Sequence, residues 1–135
     1  MIVVDASIAL AWCLSDESDD IADRALDRVV AEGAIAPAHW PLEVANGLRT
    51  AVRHGRLSPD ELPRIGRLLG DLAIDVRPID LSTAIWSVLE VAFDRGLSAY
   101  DAAYLDLAQF KGAVLATLDW DLRNAGVAAG IEVVV

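Results

Sequence analysis

Short apolar runs alternate with stretches of helical period along the whole chain, and this alternation limits the possible folds more than any other feature. The runs fall at residues 2–4, near 34–36, and at 74–79, 113–116 and 131–135. They have β-branched or short apolar character, which is a strand signal. Helical patterns fill the intervals. One covers 7–14, and a second spans 18–31, where Ile21, Ala22, Ala25, Leu26, Val29 and Val30 form one stripe. A third covers 39–54 and stops at Gly55. In "SPDEL", Ser58 can serve as the N-cap, Pro59 takes the first helical position and Glu61 completes a capping box. Further helices are expected over 82–95, before Gly96, and from "SAYD" to Lys111, with a short turn or helix after Asp119. Strands alternating with helices of this length pair in parallel through right-handed crossovers. The expectation is one layered α/β domain over residues 1–135 with a mostly parallel sheet of about five strands.

Composition narrows the function classes. The chain is 55% hydrophobic, yet no apolar run approaches the roughly 18 residues a membrane span needs. "MIVVD" has no basic region and meets an acid too early for a secretory signal, so a cytoplasmic location is expected, with no membrane partner. A lone cysteine, Cys13, excludes an internal disulfide and a Cys-based zinc site. Its setting, "IALAWCL", marks it as buried filler. A net charge of −10 argues against simple electrostatic capture of a polyanion, so any nucleic-acid role must be local. G-x-G-x-x-G, P-loop, H-E-x-x-H and G-x-S-x-G motifs are all absent.

The acids are placed where a parallel sheet binds its ligands, beyond the carboxyl ends of the strands. Asp5 directly follows the first apolar run, and Asp119 follows "AVLATL". Two parallel strands that both end in aspartate bring those carboxylates to one edge. Glu43 shares a helix face with Asn46, Gly47 and Thr50 beside the apolar stripe of Trp40, Val44, Leu48 and Ala51. Asp101 lies in the first turn of its helix. Four carboxylates gathered in one cleft repel one another, and a divalent cation removes that cost. Hard oxygen ligands without paired histidines or cysteines favour Mg²⁺ or Mn²⁺, the ions of metal-assisted phosphodiester cleavage.

Each acid also has a structural use. Asp5 can cap the following helix, Asp101 fits the N3 position of a Ser98 capping box, and Asp119 fits a turn or cap. Glu43 is the hardest to excuse in this way, because an unpaired glutamate beside a buried stripe is costly. Thr117 either orients a carboxylate or satisfies a strand end, and Asp121 is either a fifth ligand or a solvated turn acid. His39 and His54 read as helix-end residues. Trp12, Trp40, Trp86 and Trp120 read as core or interface packing. Arg49 and Arg53, one helical turn apart on the Glu43 helix, are candidate phosphate contacts or a solvated face.

Taken together and in order, "VVDAS", "PLEVANGL", "SAYDAAYLDLA" and "LATLDWDL" resemble the signature segments of the PIN-domain family, and more narrowly its small VapC-type toxins. The resemblance covers essentially the whole chain. It implies a three-layer α/β/α sandwich and a Mg²⁺- or Mn²⁺-dependent endoribonuclease acting within a toxin–antitoxin pair. It also implies Asp5, Glu43, Asp101 and Asp119 as the catalytic and metal-binding set, supported by Ser7, Asn46 and Thr117. The partners it implies are RNA, a cognate antitoxin and a second copy of the chain. Asp121 departs from the pattern, standing where many relatives carry a neutral or basic residue. Two alternatives stay open at this point. One is a receiver-like Mg²⁺-binding signalling module, which would need a lysine after the last strand where this chain offers only Lys111. The other is a catalytically inactive PIN-fold binding protein.

Overall fold

In the computed structural model, which describes residues 1–135, four parallel strands form one sheet in the order β3-β2-β1-β4. The strands are β1 (Ile2–Val4), β2 (Ala34–Pro37), β3 (Ile74–Arg77) and β4 (Val114–Ala116). Val3 lies between Ile35 on one side and Leu115 on the other, so β1 is central. All three of its residues are fully buried, which is why the run carries no polar alternation.

Helices α1 (Ala6–Cys13) and α2 (Asp20–Glu32) connect β1 to β2, and α3 (Trp40–Arg53) and α4 (Leu62–Gly70) connect β2 to β3. The chain then reverses direction across the sheet. It passes through α5 (Leu81–Thr83), a π-helical turn (Ala84–Val88), α6 (Leu89–Arg95) and α7 (Ala99–Lys111) to reach β4, beside β1. Right-handed crossovers running in opposite directions put α1–α4 on one face and α5–α7 on the other. The sandwich is therefore three-layered, and the β1/β4 gap is its topological switch point. A final helix, α8 (Trp120–Ala128), follows β4.

The expected α/β fold is borne out, with two departures in detail. Residues 131–135 do not form a fifth strand but a single parallel bridge, Leu115 to Val133. β4 explains this. Its outer residues bond towards β1, through Val114 N–H to Met1 O and Asp5 N–H to Ala116 O. Only Leu115 turns its backbone outward, donating to Glu132 O and accepting from Val134 N–H. The helix expected over 82–95 is interrupted by the π-helical turn, which no sequence period announces. At "SPDEL" the Ser58–Glu61 capping box forms as expected, opening a short 3₁₀ turn (Pro59–Glu61) that leads into α4.

The core gathers β1, β2 and β4 with the inner faces of α1, α2, α7 and α8. Cys13 is buried in a separate small cluster with Leu14, Ala51, Leu57 and Ile65. Trp40 is buried, but Trp86 and Trp120 are 76% and 70% exposed, so core packing does not account for those two. No helix is long and apolar enough to cross a membrane.

Candidate active site

Asp5 leaves β1 in extended conformation and becomes the N-cap of α1. Its Oδ1 accepts the Ser7 hydroxyl at 2.6 Å and the Ile8 N–H at 3.1 Å, and its Oδ2 accepts the Thr117 hydroxyl. A carboxylate offers about four lone-pair positions, so three donors leave one of them open. The side chain is only 5% exposed. Burial raises its pKa to about 6 despite those three hydrogen bonds, and the nearby charge of Asp119 pushes in the same direction.

Ser7 and Thr117 tie the ends of β1 and β4 together. The Ser7 Oγ also accepts the Leu118 N–H at 2.9 Å, and the buried Thr117 Oγ1 accepts the Asp119 N–H at 2.9 Å. Asp119 is in turn the N-cap of α8, accepting the Leu122 N–H at 2.8 Å through Oδ1. Its exposed carboxylate is thereby held at the mouth of the β1/β4 gap.

The other two acids arrive on helices. Asp101 lies in the first turn of α7, where its N–H donates to the Ser98 Oγ at 3.1 Å. Glu43, in the first turn of α3, accepts the Tyr104 hydroxyl at 2.5 Å. His39, the N-cap residue of α3, puts Nε2 3.2 Å from Glu43 Oε1 but is misaligned for a hydrogen bond, and that nitrogen is buried without a partner. The imidazole packs against Tyr104 and Tyr100, with ring centres 5.0 and 5.6 Å apart. Burial raises the Asp101 pKa, as do the charges of Asp119, Glu43 and Asp121, while His39 opposes them. Asp101 therefore stands within electrostatic reach of acids from α3 and from the β4–α8 corner.

The remaining sequence candidates lie further out. Asn46 is exposed with no side-chain hydrogen bond, and Arg49 and Arg53 are exposed on α3 without an ion-pair partner. Asp121 is exposed in the first turn of α8. Lys111 is the last residue of α7, over the Phe110 ring, and does not follow the last strand, which removes the anchor of the receiver-like alternative. Tyr104 and His39 were not legible as site residues. Their signal was spacing, since Tyr104 follows Asp101 by three residues and His39 precedes Glu43 by four.

The donors fit a hard divalent cation. They are carboxylates and hydroxyls, and two of the acids are driven towards protonation by burial and mutual repulsion. No three of the acids and histidines approach closely enough to enclose an ion by themselves. That spacing suits an ion held by one or two carboxylates that keeps several waters, as Mg²⁺ does.

Comparison with known proteins places this arrangement. The PIN domain profile matches residues 2–128. The VapC ribonuclease Mb0985 of Mycobacterium bovis and Ribonuclease VapC9 of Mycobacterium tuberculosis are each 35% identical over 129 residues, covering 95% of this chain and 93% of the relative. Ribonuclease VapC3 of Pyrobaculum aerophilum is 31% identical over 123 residues, covering 91% of this chain and 92% of its own length. Among solved structures, PAE2754 from Pyrobaculum aerophilum superposes with a TM-score of 0.72 at 24% identity, over 98% of this chain and 88% of that one. FitAcB from Neisseria gonorrhoeae superposes with a TM-score of 0.58 at 19% identity, over 98% of this chain and 96% of that one.

Proposed function

Because this chain belongs to the PIN domain family, we propose that it is a metal-dependent endoribonuclease, the toxin of a toxin–antitoxin pair. The observation that carries the reading is the electrostatic strain at Asp101, a half-buried acid facing Asp119, Glu43 and Asp121. Similarity to relatives named VapC ribonuclease supplies the RNA substrate.

Of Asp5, Glu43, Asp101 and Asp119, one or two would bind Mg²⁺ or Mn²⁺ directly and the others would hold its waters. When bound, such an ion lowers the pKa of a coordinated water and neutralises charge developing on a phosphodiester. The protein's own part is orientation. Ser7 and Thr117 fix Asp5 through both of its carboxylate oxygens, and the Thr117 Oγ1 aims Asp119 through its N–H. Asn46 lies one turn beyond Glu43 on α3, and Asp121 adds negative charge at the rim. Arg49 and Arg53 continue the Glu43 helix outward as phosphate contacts.

A net charge of −10 suits a basic antitoxin segment, since complementary charge speeds and selects encounter. Exposed Leu81, Ile85, Trp86 and Phe93 along α5–α6 support a homodimer, in which the same apolar patch meets itself.

The test is cleavage of single-stranded RNA by the purified chain. Activity should require Mg²⁺ or Mn²⁺, stop with EDTA, and fall to background in Asp5→Asn and Asp101→Asn. Full activity in either folded variant sinks the reading.

A further inference from the structure

One side-chain hydrogen bond joins α7 to α3, and it comes from a residue that carries no charge. The Tyr104 hydroxyl reaches across 61 positions of sequence to Glu43 Oε1 from a ring that is 1% exposed. Tyr104 lies one turn after Asp101 on α7, while Glu43 lies one turn after His39 on α3. The His39 ring packs edge-to-face with Tyr104, their centres 5.0 Å apart. The phenol O–H donates and the Glu43 carboxylate accepts.

Glu43 needs such a tether. Its side chain is 37% exposed, and a free glutamate would have to give up rotamer freedom each time it met a ligand. We infer that Tyr104 is a positioning residue, whose hydroxyl occupies Glu43 Oε1 and holds Oε2 ready for a cation or its waters. Groups that orient a ligand side chain commonly matter nearly as much as the ligand itself. This inference rests on the metal-dependent reading above and names a residue outside the acidic set.

Mn²⁺ titration calorimetry on the full chain tests it, alongside RNA cleavage. Tyr104→Phe keeps the ring in the core and removes only the hydroxyl. It should bind Mn²⁺ about 10-fold more weakly and lose kcat by a similar factor with KM little changed. Combined with Glu43→Gln, it should add little to the loss from Glu43→Gln alone, because both changes break one unit. Glu43→Asp keeps the charge but withdraws it from Tyr104, and should lose Mn²⁺ affinity comparably even if Tyr104→Phe fails to fold. Wild-type Mn²⁺ affinity in either Tyr104→Phe or Glu43→Asp, or fully additive losses in the double variant, overturns the inference and leaves the metal site standing. A wild-type chain that binds no Mn²⁺ overturns both.

Discussion

Asp5 serves two purposes that pull in opposite directions. As an N-cap it is well supplied with donors, yet its burial makes the ionised form costly, and the folded pKa rises from 3.8 to about 6. The unfolded chain therefore ionises first as pH rises. Stability contributed by protonated Asp5 is fully present below about pH 4 and is lost as pH climbs through about 6. Asp5→Asn removes that loss. We predict that, in EDTA, the variant matches wild type near pH 4 and exceeds it increasingly up to pH 7.5, by at most about 3 kcal/mol from a shift of roughly two units. Urea denaturation at several pH values checks this, and a variant no more stable than wild type at pH 7.5 refutes it. The same residue shows why the site was partly legible. Asp5 and Asp119 are the N-caps that local rules mark, and a cap fixes where a carboxylate points, whereas at Asp101 only the Ser98 half of the expected capping box forms and the carboxylate caps nothing. Tyr104 and His39 were illegible, since nothing local distinguishes a core aromatic from one that bonds a residue 61 positions away.

Among the elements, α1 and α3 are packed closely enough to constrain both. A Cβ placed on Gly47 would lie 2.3 Å from Leu10 Cδ1 and 2.8 Å from Leu10 Cδ2. Alanine is intrinsically better than glycine in a helix by about 1 kcal/mol, but here Leu10 would have to leave its place between the helices. Overpacking of this kind costs typically 1–3 kcal/mol. We predict that Gly47→Ala is destabilising in thermal melts and that adding Leu10→Ala costs less than it does alone, because the smaller side chain relieves the contact. Additive effects would mean that Leu10 yields freely. Gly47 was legible in the sequence only as a small residue on the Glu43 face. Its partner on α1 was not, because periodicity shows which face a helix buries and not how near its neighbour comes. The missing fifth strand has the same origin. "IEVVV" carries the strand pattern, but β4 has one outward-facing residue to pair with, and that limit belongs to the neighbour.

At the scale of the whole molecule, a chain of net charge −10 has to take up a polyanion. At physiological salt, exposed charges act over roughly 8 Å, so the distant acids neither repel RNA strongly nor matter to its register. What counts is the local set of cations beside the carboxylates. Arg49 and Arg53 lie on α3, which begins at the site with Glu43, and neither side chain is held by an ion pair. Sequence spacing put them on one helix turn. A solvated face and a phosphate track share that spacing, so the sequence alone could not choose between them. Salt dependence can choose. Each phosphate contact to a single strand contributes about −0.7 to the slope of log K against log salt. We predict that Arg49→Ala and Arg53→Ala each raise KM for RNA, leave kcat within about 2-fold and flatten that slope by about 0.7. Variants with wild-type KM and slope would place the RNA elsewhere.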